Sequence, residues 1–293
     1  MSHDKTRAIS IIAFIGSVFS PWYAWSGRKA PHNHCCINVA TYGPGGRFTM
    51  TERPGRTTIQ TPDSFHVGPS SFQWTDDGLV INIDEYSAPP IPGRVKGRIL
   101  LKPHFLTSAA VAISKDDAHM WRPFAPRADI SVELEAPGWQ WSGEGYMDAN
   151  FGDRSLEEDF QFWTWGRFPS QHGSYCFYDA ERTDGSKLEA AFLCDEDGNF
   201  QTISAPTSKE FKPSLWRVKR NTRTDVGENA RQIMNMLDAP FYSRSMIETY
   251  IHKERVTGIH EALDMRRFNR QFIKAMIAMR TPRIPAWLTP SKT

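Results

Sequence analysis

Turn signals recur along this chain at short intervals, and each separates two runs with the composition of a β-strand. Gly43-Pro44-Gly45-Gly46 stands between Cys35–Tyr42 and Arg47–Arg53. Asp76-Asp77-Gly78 stands between Phe72–Thr75 and Leu79–Asp84, and Thr183-Asp184-Gly185 between Gly173–Ala180 and Lys187–Cys194. Glycine and aspartate at such points supply the positive φ angles that tight hairpins need. Val95–Leu101, Ile130–Leu134 and the aromatic-rich Phe160–Arg167 read as further strands, and Ser245–Val256 as one long strand. Helix is scarce. Arg267–Arg280 carries Phe268, Phe272, Ile273, Met276 and either Met279 or Ile277 near helical spacing and is ended by Pro282 and Pro285. Asn229–Leu237 is a second, shorter helix candidate. Many short strands with regular turns predict an all-β, mainly antiparallel fold built as sandwiches or barrels.

A chain of 293 residues is long enough for two such units. The Gly-rich stretch Trp139–Asp153 falls mid-chain and suggests a boundary there. The expected division is 9–140, 141–268 and a C-terminal helix and tail at 269–293. A net charge of +2 with scattered basic residues argues against a nucleic-acid partner. Lys5 and Arg7 precede the apolar run Ala8–Phe19, as in a secretory signal. That run is too short to span a bilayer and has no small-residue cleavage site, so it reads as a buried first segment. Cys35, Cys36, Cys176 and Cys194 have no C-x-x-C spacing and read as free thiols of a reducing compartment. His32, His34, Cys35 and Cys36 are clustered, but no second ligand pair has zinc-site spacing, so no metal is expected.

The chain has no phosphate-binding loop, no G-x-S-x-G elbow and no H-E-x-x-H helix, so nucleotide, serine-hydrolase and zinc-protease chemistries lose their usual signatures. What remains is a band from His119 to Arg167. Residues two apart on a strand share a face. His119 and Trp121 therefore point one way, and Tyr146 and Asp148 do likewise, with Glu144 as a possible third member. Trp139, Trp141, Trp163 and Trp165 add aromatic surface in the same band. The ten Trp, eighteen Phe and eight Tyr suit a stiff β-rich core and an aromatic-lined pocket equally well.

Five segments carry a family resemblance. They are Phe14-Ile15-Gly16-Ser17-Val18-Phe19-Ser20-Pro21-Trp22-Tyr23, the stretch from Asn33 to Ala40, Met50-Thr51-Glu52-Arg53, Trp121-Arg122-Pro123-Phe124-Ala125-Pro126, and Gly145-Tyr146-Met147-Asp148-Ala149-Asn150-Phe151-Gly152. Together they resemble the carotenoid 1,2-hydratases of the hydroxyneurosporene synthase type, from about residue 9 to about residue 268. The paired cysteines Cys35 and Cys36 and a short N-terminus depart from that pattern, away from the expected site. The resemblance implies two lipocalin-like β-rich units. It also implies active-site roles for His119, Trp121, Tyr146 and Asp148 and a reaction without a cofactor. Water would add across the terminal C1–C2 double bond of an acyclic carotene such as neurosporene, lycopene or a 1-hydroxy derivative.

These residue types suit that chemistry. A carboxyl in an apolar pocket stays protonated near neutrality and can serve as the acid, a role that falls to Asp148. Tyr146 would hydrogen-bond the carboxyl, Trp121 would face the developing cation, and His119 would accept a proton from the attacking water. Trp139, Trp141, Trp163 and Trp165 would line the substrate tunnel. Two other readings stay open: a lipocalin-like carrier without turnover, and a cyclase or pericyclase on the same scaffold. A membrane-held substrate implies a cytoplasmic protein in peripheral contact with a membrane. Arg266–Arg283, which mixes Arg and Lys with Phe, Ile and Met, is one surface that could make that contact or simply pack on its own domain.

Overall fold

The computed structural model describes residues 1–88 and 92–285, and its sheets are antiparallel throughout their named pairings. The turn signals close the hairpins expected of them. Ser70–Thr75 pairs with Gly78–Tyr86, with Thr75 directly opposite Gly78. Gly78 takes a φ of 122°, and a Cβ there would lie 2.5 Å from the Leu101 carbonyl oxygen, so both conformation and space require glycine. Gly173–Arg182 pairs with Lys187–Cys194. Cys35–Tyr42 is buried along its whole length, between Ala8–Ile15 and Phe48–Met50. The N-terminal apolar run thus enters the fold as a strand. No helix among the described residues is long and apolar enough to cross a membrane.

The chain divides into two compact units, residues 1–103, 128–145 and 271 onward, and residues 104–127 and 146–270. This differs from a split into consecutive halves near residue 140. Two long strands, His119–Ala136 and Trp139–Gly152, each give one end to either unit, and the helix Gln271–Arg280 belongs with the first. In the first unit, strands from Thr58–Gln60 to Arg94–Pro103 pair in sequence order, and residues 128–136 add beside Arg94–Pro103. The His/Cys tract is consumed locally. His34 Nδ1 lies 2.6 Å from buried Glu52, and the Cys35 thiol donates to the His32 carbonyl. No group of three His, Cys, Asp or Glu among the described residues is arranged to hold a metal.

The second unit is built on a seven-stranded sheet. Its order is Phe200–Thr202, Lys187–Cys194, Gly173–Arg182, Phe160–Ser170, Glu254–Asp264, Tyr242–Ile251 and Arg231–Asp238. Cys176 and Cys194 sit on neighbouring strands as free thiols. Three expectations change here. Residues 245–256 are not one strand: Tyr242–Ile251 and Glu254–Asp264 pair across His252 and Lys253. Those two residues take φ of 51° and 68°, a two-residue turn made without glycine or asparagine, which is why it escapes a composition rule. Residues 231–238 form an edge strand rather than a helix, because pairing with Tyr242–Ile251 overrides local propensity. The C-terminal helix is interrupted at Asn269 and Arg270 into Met265–Phe268 and Gln271–Arg280.

The turn makes a small, separate prediction. A left-handed conformation costs a non-glycine residue about 1–2 kcal/mol, partly offset by the extra freedom glycine has when unfolded. Lys253→Gly is therefore expected to raise unfolding stability by about 0.5–1 kcal/mol, measured by urea denaturation.

Candidate active site

The ends of the two long strands that belong to the second unit carry the central constellation. Trp121 Nε1 donates to Asp148 Oδ2 at 2.8 Å, and the Tyr146 hydroxyl donates to the same oxygen at 3.0 Å. No hydrogen bond reaches Oδ1 among the described residues. Asp148 and Tyr146 each keep part of their surface accessible, although protein surrounds both densely enough for burial to dominate their ionisation. Burial pushes the Asp148 carboxyl up to about 6, against the downward pull of its two donors and of Arg244; Glu261 adds to the rise. Burial and the Asp148 charge also hold the Tyr146 phenol well above its ordinary value, so it stays a donor.

Aromatic rings close around this carboxyl. Trp121 is fully buried, with its ring against Tyr178 and Phe192 at 5.9 Å each and Phe200 at 6.3 Å. Its N–H meets Asp148 while its ring packs among these three side chains. Trp165 lies 5.4 Å from the Tyr146 ring and is half-buried, while its Nε1 is buried without a partner among the described residues. Trp163 packs between Phe160 and Tyr178. The other two tryptophans belong to the first unit, where Trp139 lies under Arg7 at 4.6 Å. Trp163 and Trp165 are thus parts of the Asp148 unit, and Trp139 and Trp141 are not.

The structure brings three of the four expected residues together and engages the fourth elsewhere. His119 is buried, with Nε2 2.8 Å from Asp159 Oδ2 and its ring against Phe160 at 5.3 Å. Arg154 grips the same Asp159 at 2.7 and 2.8 Å and holds it below the usual carboxylate range. Gly152, the last residue of the Gly145–Gly152 motif, leaves room for this ring: a Cβ there would sit 2.4 Å from His119 Nδ1. Asp159 is the partner that sequence alone did not assign.

Tyr178, whose ring meets Trp121, was not singled out by sequence. Nor were Arg244 and Glu261, paired at 2.7 Å. Their register follows only once the turn at His252 and Lys253 is known.

The arrangement can do one thing well. It keeps a carboxyl neutral up to about pH 6, two units above its ordinary range, with one oxygen anchored by two donors and the other able to present a proton to an apolar ligand. A family model described as carotenoid hydratase CrtC matches residues 11–290. The chain is 53% identical over 277 residues to an acyclic carotenoid 1,2-hydratase of Cereibacter sphaeroides, covering 94% of this chain and 99% of the relative. It is 51% identical to the protein of that name from Rhodobacter capsulatus, with the same coverage. Among solved structures, a protein from Nitrosomonas europaea described as AttH superposes with a TM-score of 0.54. It shares 12% identity over 79% of this chain and 81% of its own, a likeness of fold.

Proposed function

Because the chain belongs to the carotenoid hydratase family CrtC, we propose that this hydro-lyase acts on acyclic carotenes such as neurosporene and lycopene through the carboxyl of Asp148. The observation that carries the reading is the convergence of Trp121 Nε1 and the Tyr146 hydroxyl on one oxygen of that carboxyl. In the neutral acid, the oxygen accepting two hydrogen bonds is the carbonyl oxygen, and the proton sits on Oδ1. Oδ1–H transfers its proton to C2 of the terminal double bond, and the alkene π electrons form the new C–H bond. The positive charge falls on C1, which carries two methyl groups. The resulting carboxylate keeps both donors, which stabilise its charge as it forms.

Water then attacks C1, and the proton it releases returns to Asp148, restoring the acid. This cycle differs from one in which His119 accepts the proton. The commitment of His119 to Asp159 favours a positioning role for it, holding the Trp121 strand in place. Trp165 is the group suited to hold the attacking water, because its buried N–H has no partner among the described residues and its ring adjoins Tyr146. Tyr146 and Trp165 keep accessible surface, which supports a role for their rings in facing the developing cation.

Trp165→Phe keeps the ring and removes the donor. It is expected to lower kcat about tenfold, the worth of one neutral hydrogen bond, with KM little changed. Equal loss in KM and kcat would instead mark Trp165 as a substrate wall. The reading as a whole is tested by incubating the purified chain with lycopene in detergent without added cofactor. A product heavier by one water is expected; an isomer of unchanged mass, or unreacted lycopene held tightly, would overturn it. Since such substrates reside in bilayers, the enzyme works in peripheral contact with a membrane.

A further inference from the structure

The loop that joins Thr207–Phe211 to Arg220–Thr224 is built against the rule that large apolar side chains are covered. Its sequence runs Lys212-Pro213-Ser214-Leu215-Trp216-Arg217-Val218-Lys219. Ser214 and Val218 are buried, and Val218 packs with Phe162 and Ala262. Between them Leu215 is 85% and Trp216 49% exposed. This exposure does not come from a loose segment. The Leu215 N–H donates to Asp238 at 2.6 Å, Arg217 N–H to the Ser214 carbonyl at 2.8 Å, and the Arg267 guanidinium to the carbonyls of Trp216 and Arg217. Arg217 is held in the left-handed region at φ 59°, a conformation that persists only where its surroundings impose it. A strained, pinned turn that presents a Leu and a Trp outward is preformed to put them into something apolar.

The charges around it say what. Lys212, Arg217 and Lys219 are exposed and flank the apolar pair, and none of the three side chains has an ion-pair partner among the described residues. Arg266 and Arg270, on either side of the buttressing Arg267, are exposed as well. Asp238 is engaged on the loop backbone and Asp264 on Arg266 and Arg267, while Glu210 is exposed on the strand that enters the loop, so basic side chains outnumber acidic ones around the apolar pair. Tryptophan favours the water–hydrocarbon boundary, leucine the hydrocarbon, and a collar of Lys and Arg the anionic headgroups around them. The C-terminal helix Gln271–Arg280 also exposes Phe272 and Met279, with Arg280 exposed beside Met279 and Lys274 buried, which makes it the competing surface.

We propose that the Leu215–Trp216 turn is the element by which this protein docks on an anionic lipid bilayer. The proposal rests on the reading of the substrate as a membrane-held hydrocarbon, and its test separates the two. Full-length protein is floated with vesicles of phosphatidylcholine alone or with one third phosphatidylglycerol. In parallel, hydration is assayed on detergent-dispersed lycopene. Wild type is expected to float with the anionic vesicles. Leu215→Ser/Trp216→Ser is expected to bind them at least about tenfold more weakly, while hydrating the detergent-dispersed substrate at the wild-type rate. Lys212→Gln/Lys219→Gln is expected to lose the preference for anionic over neutral vesicles, and Phe272→Ser to bind as wild type does. Unchanged flotation of the Leu215/Trp216 variant, or no flotation of wild type, would overturn the docking proposal whatever the hydration assay gives. So would a wild-type dimer on size exclusion that this variant abolishes, since the turn would then meet a second copy of the chain. Absence of hydration by wild type that still floats through this turn would count against the carotenoid reading alone.

Discussion

Asp148→Asn is expected to lower the hydration rate by about 10²–10⁴-fold, the range that a positioned general acid supplies, and to leave the fold intact. The amide has nearly the shape of the carboxyl and its oxygen can still accept from Trp121 and Tyr146. What it cannot do is release a proton to an alkene. The same substitution is expected to stabilise the protein at neutral and alkaline pH. Burial raises the Asp148 pKa from 3.8 to about 6, so ionisation is harder in the folded state. Below about pH 4 the group is protonated in both states and contributes nothing. Between about 4 and 6 the unfolded chain ionises first, and stability falls as pH rises. Above about 6 the full cost stands, about 3 kcal/mol at most, because each tenfold change in the ionisation constant is worth about 1.4 kcal/mol. Asn removes that cost, so the variant should match wild type near pH 4 and exceed it near pH 8 in denaturant melts. A variant that loses activity because it unfolds would show the opposite.

The second large effect is the pH profile of kcat/KM. The reactive form is the neutral carboxyl, so the rate is expected to be flat below about pH 6 and to fall about tenfold per pH unit above it. Between about pH 6, where half of the carboxyl is already ionised, and pH 8 that is about fiftyfold. Tyr146→Phe and Trp121→Phe each remove a hydrogen bond that favours the charged form, so both should carry the break to higher pH. The sign matters: a catalytic base with the same pKa would give a rate that rises through pH 6, and losing these donors would then move a rising limb. Trp121→Phe also leaves the ring contacts with Tyr178, Phe192 and Phe200 largely filled, which separates the N–H from the packing.

Part of this site was visible before any coordinates. Alternation on a strand puts Tyr146 and Asp148 on one face and His119 and Trp121 on another, and the Gly145–Gly152 motif marks where they meet. Strand alternation does not measure reach, however. It could not show that the Trp121 N–H meets Asp148 while His119, two residues away, turns to Asp159. The hairpins closed by glycine were legible because the turn chemistry is local. The hairpin at His252 and Lys253 was hidden because the flanking sheet imposes positive φ on residues that do not seek it. Missing that turn also hid Arg244 and Glu261. The strand at Arg231–Asp238 reads as helix for a related reason: an edge strand with exposed polar residues owes its state to the neighbour that pairs with it. The four tryptophans looked equivalent in sequence, but the division of Trp139–Gly152 between the two units left only Trp163 and Trp165 with Asp148.

The most direct test of the central claim is to run the reaction in heavy water and locate the label in the product. Delivery of a proton from Asp148, which exchanges with solvent, predicts one non-exchangeable deuterium at C2 beside a hydroxyl at C1, formed by wild type and not by Asp148→Asn. A hydrated product without deuterium at C2, or one formed equally well by the Asn variant, would contradict the claim.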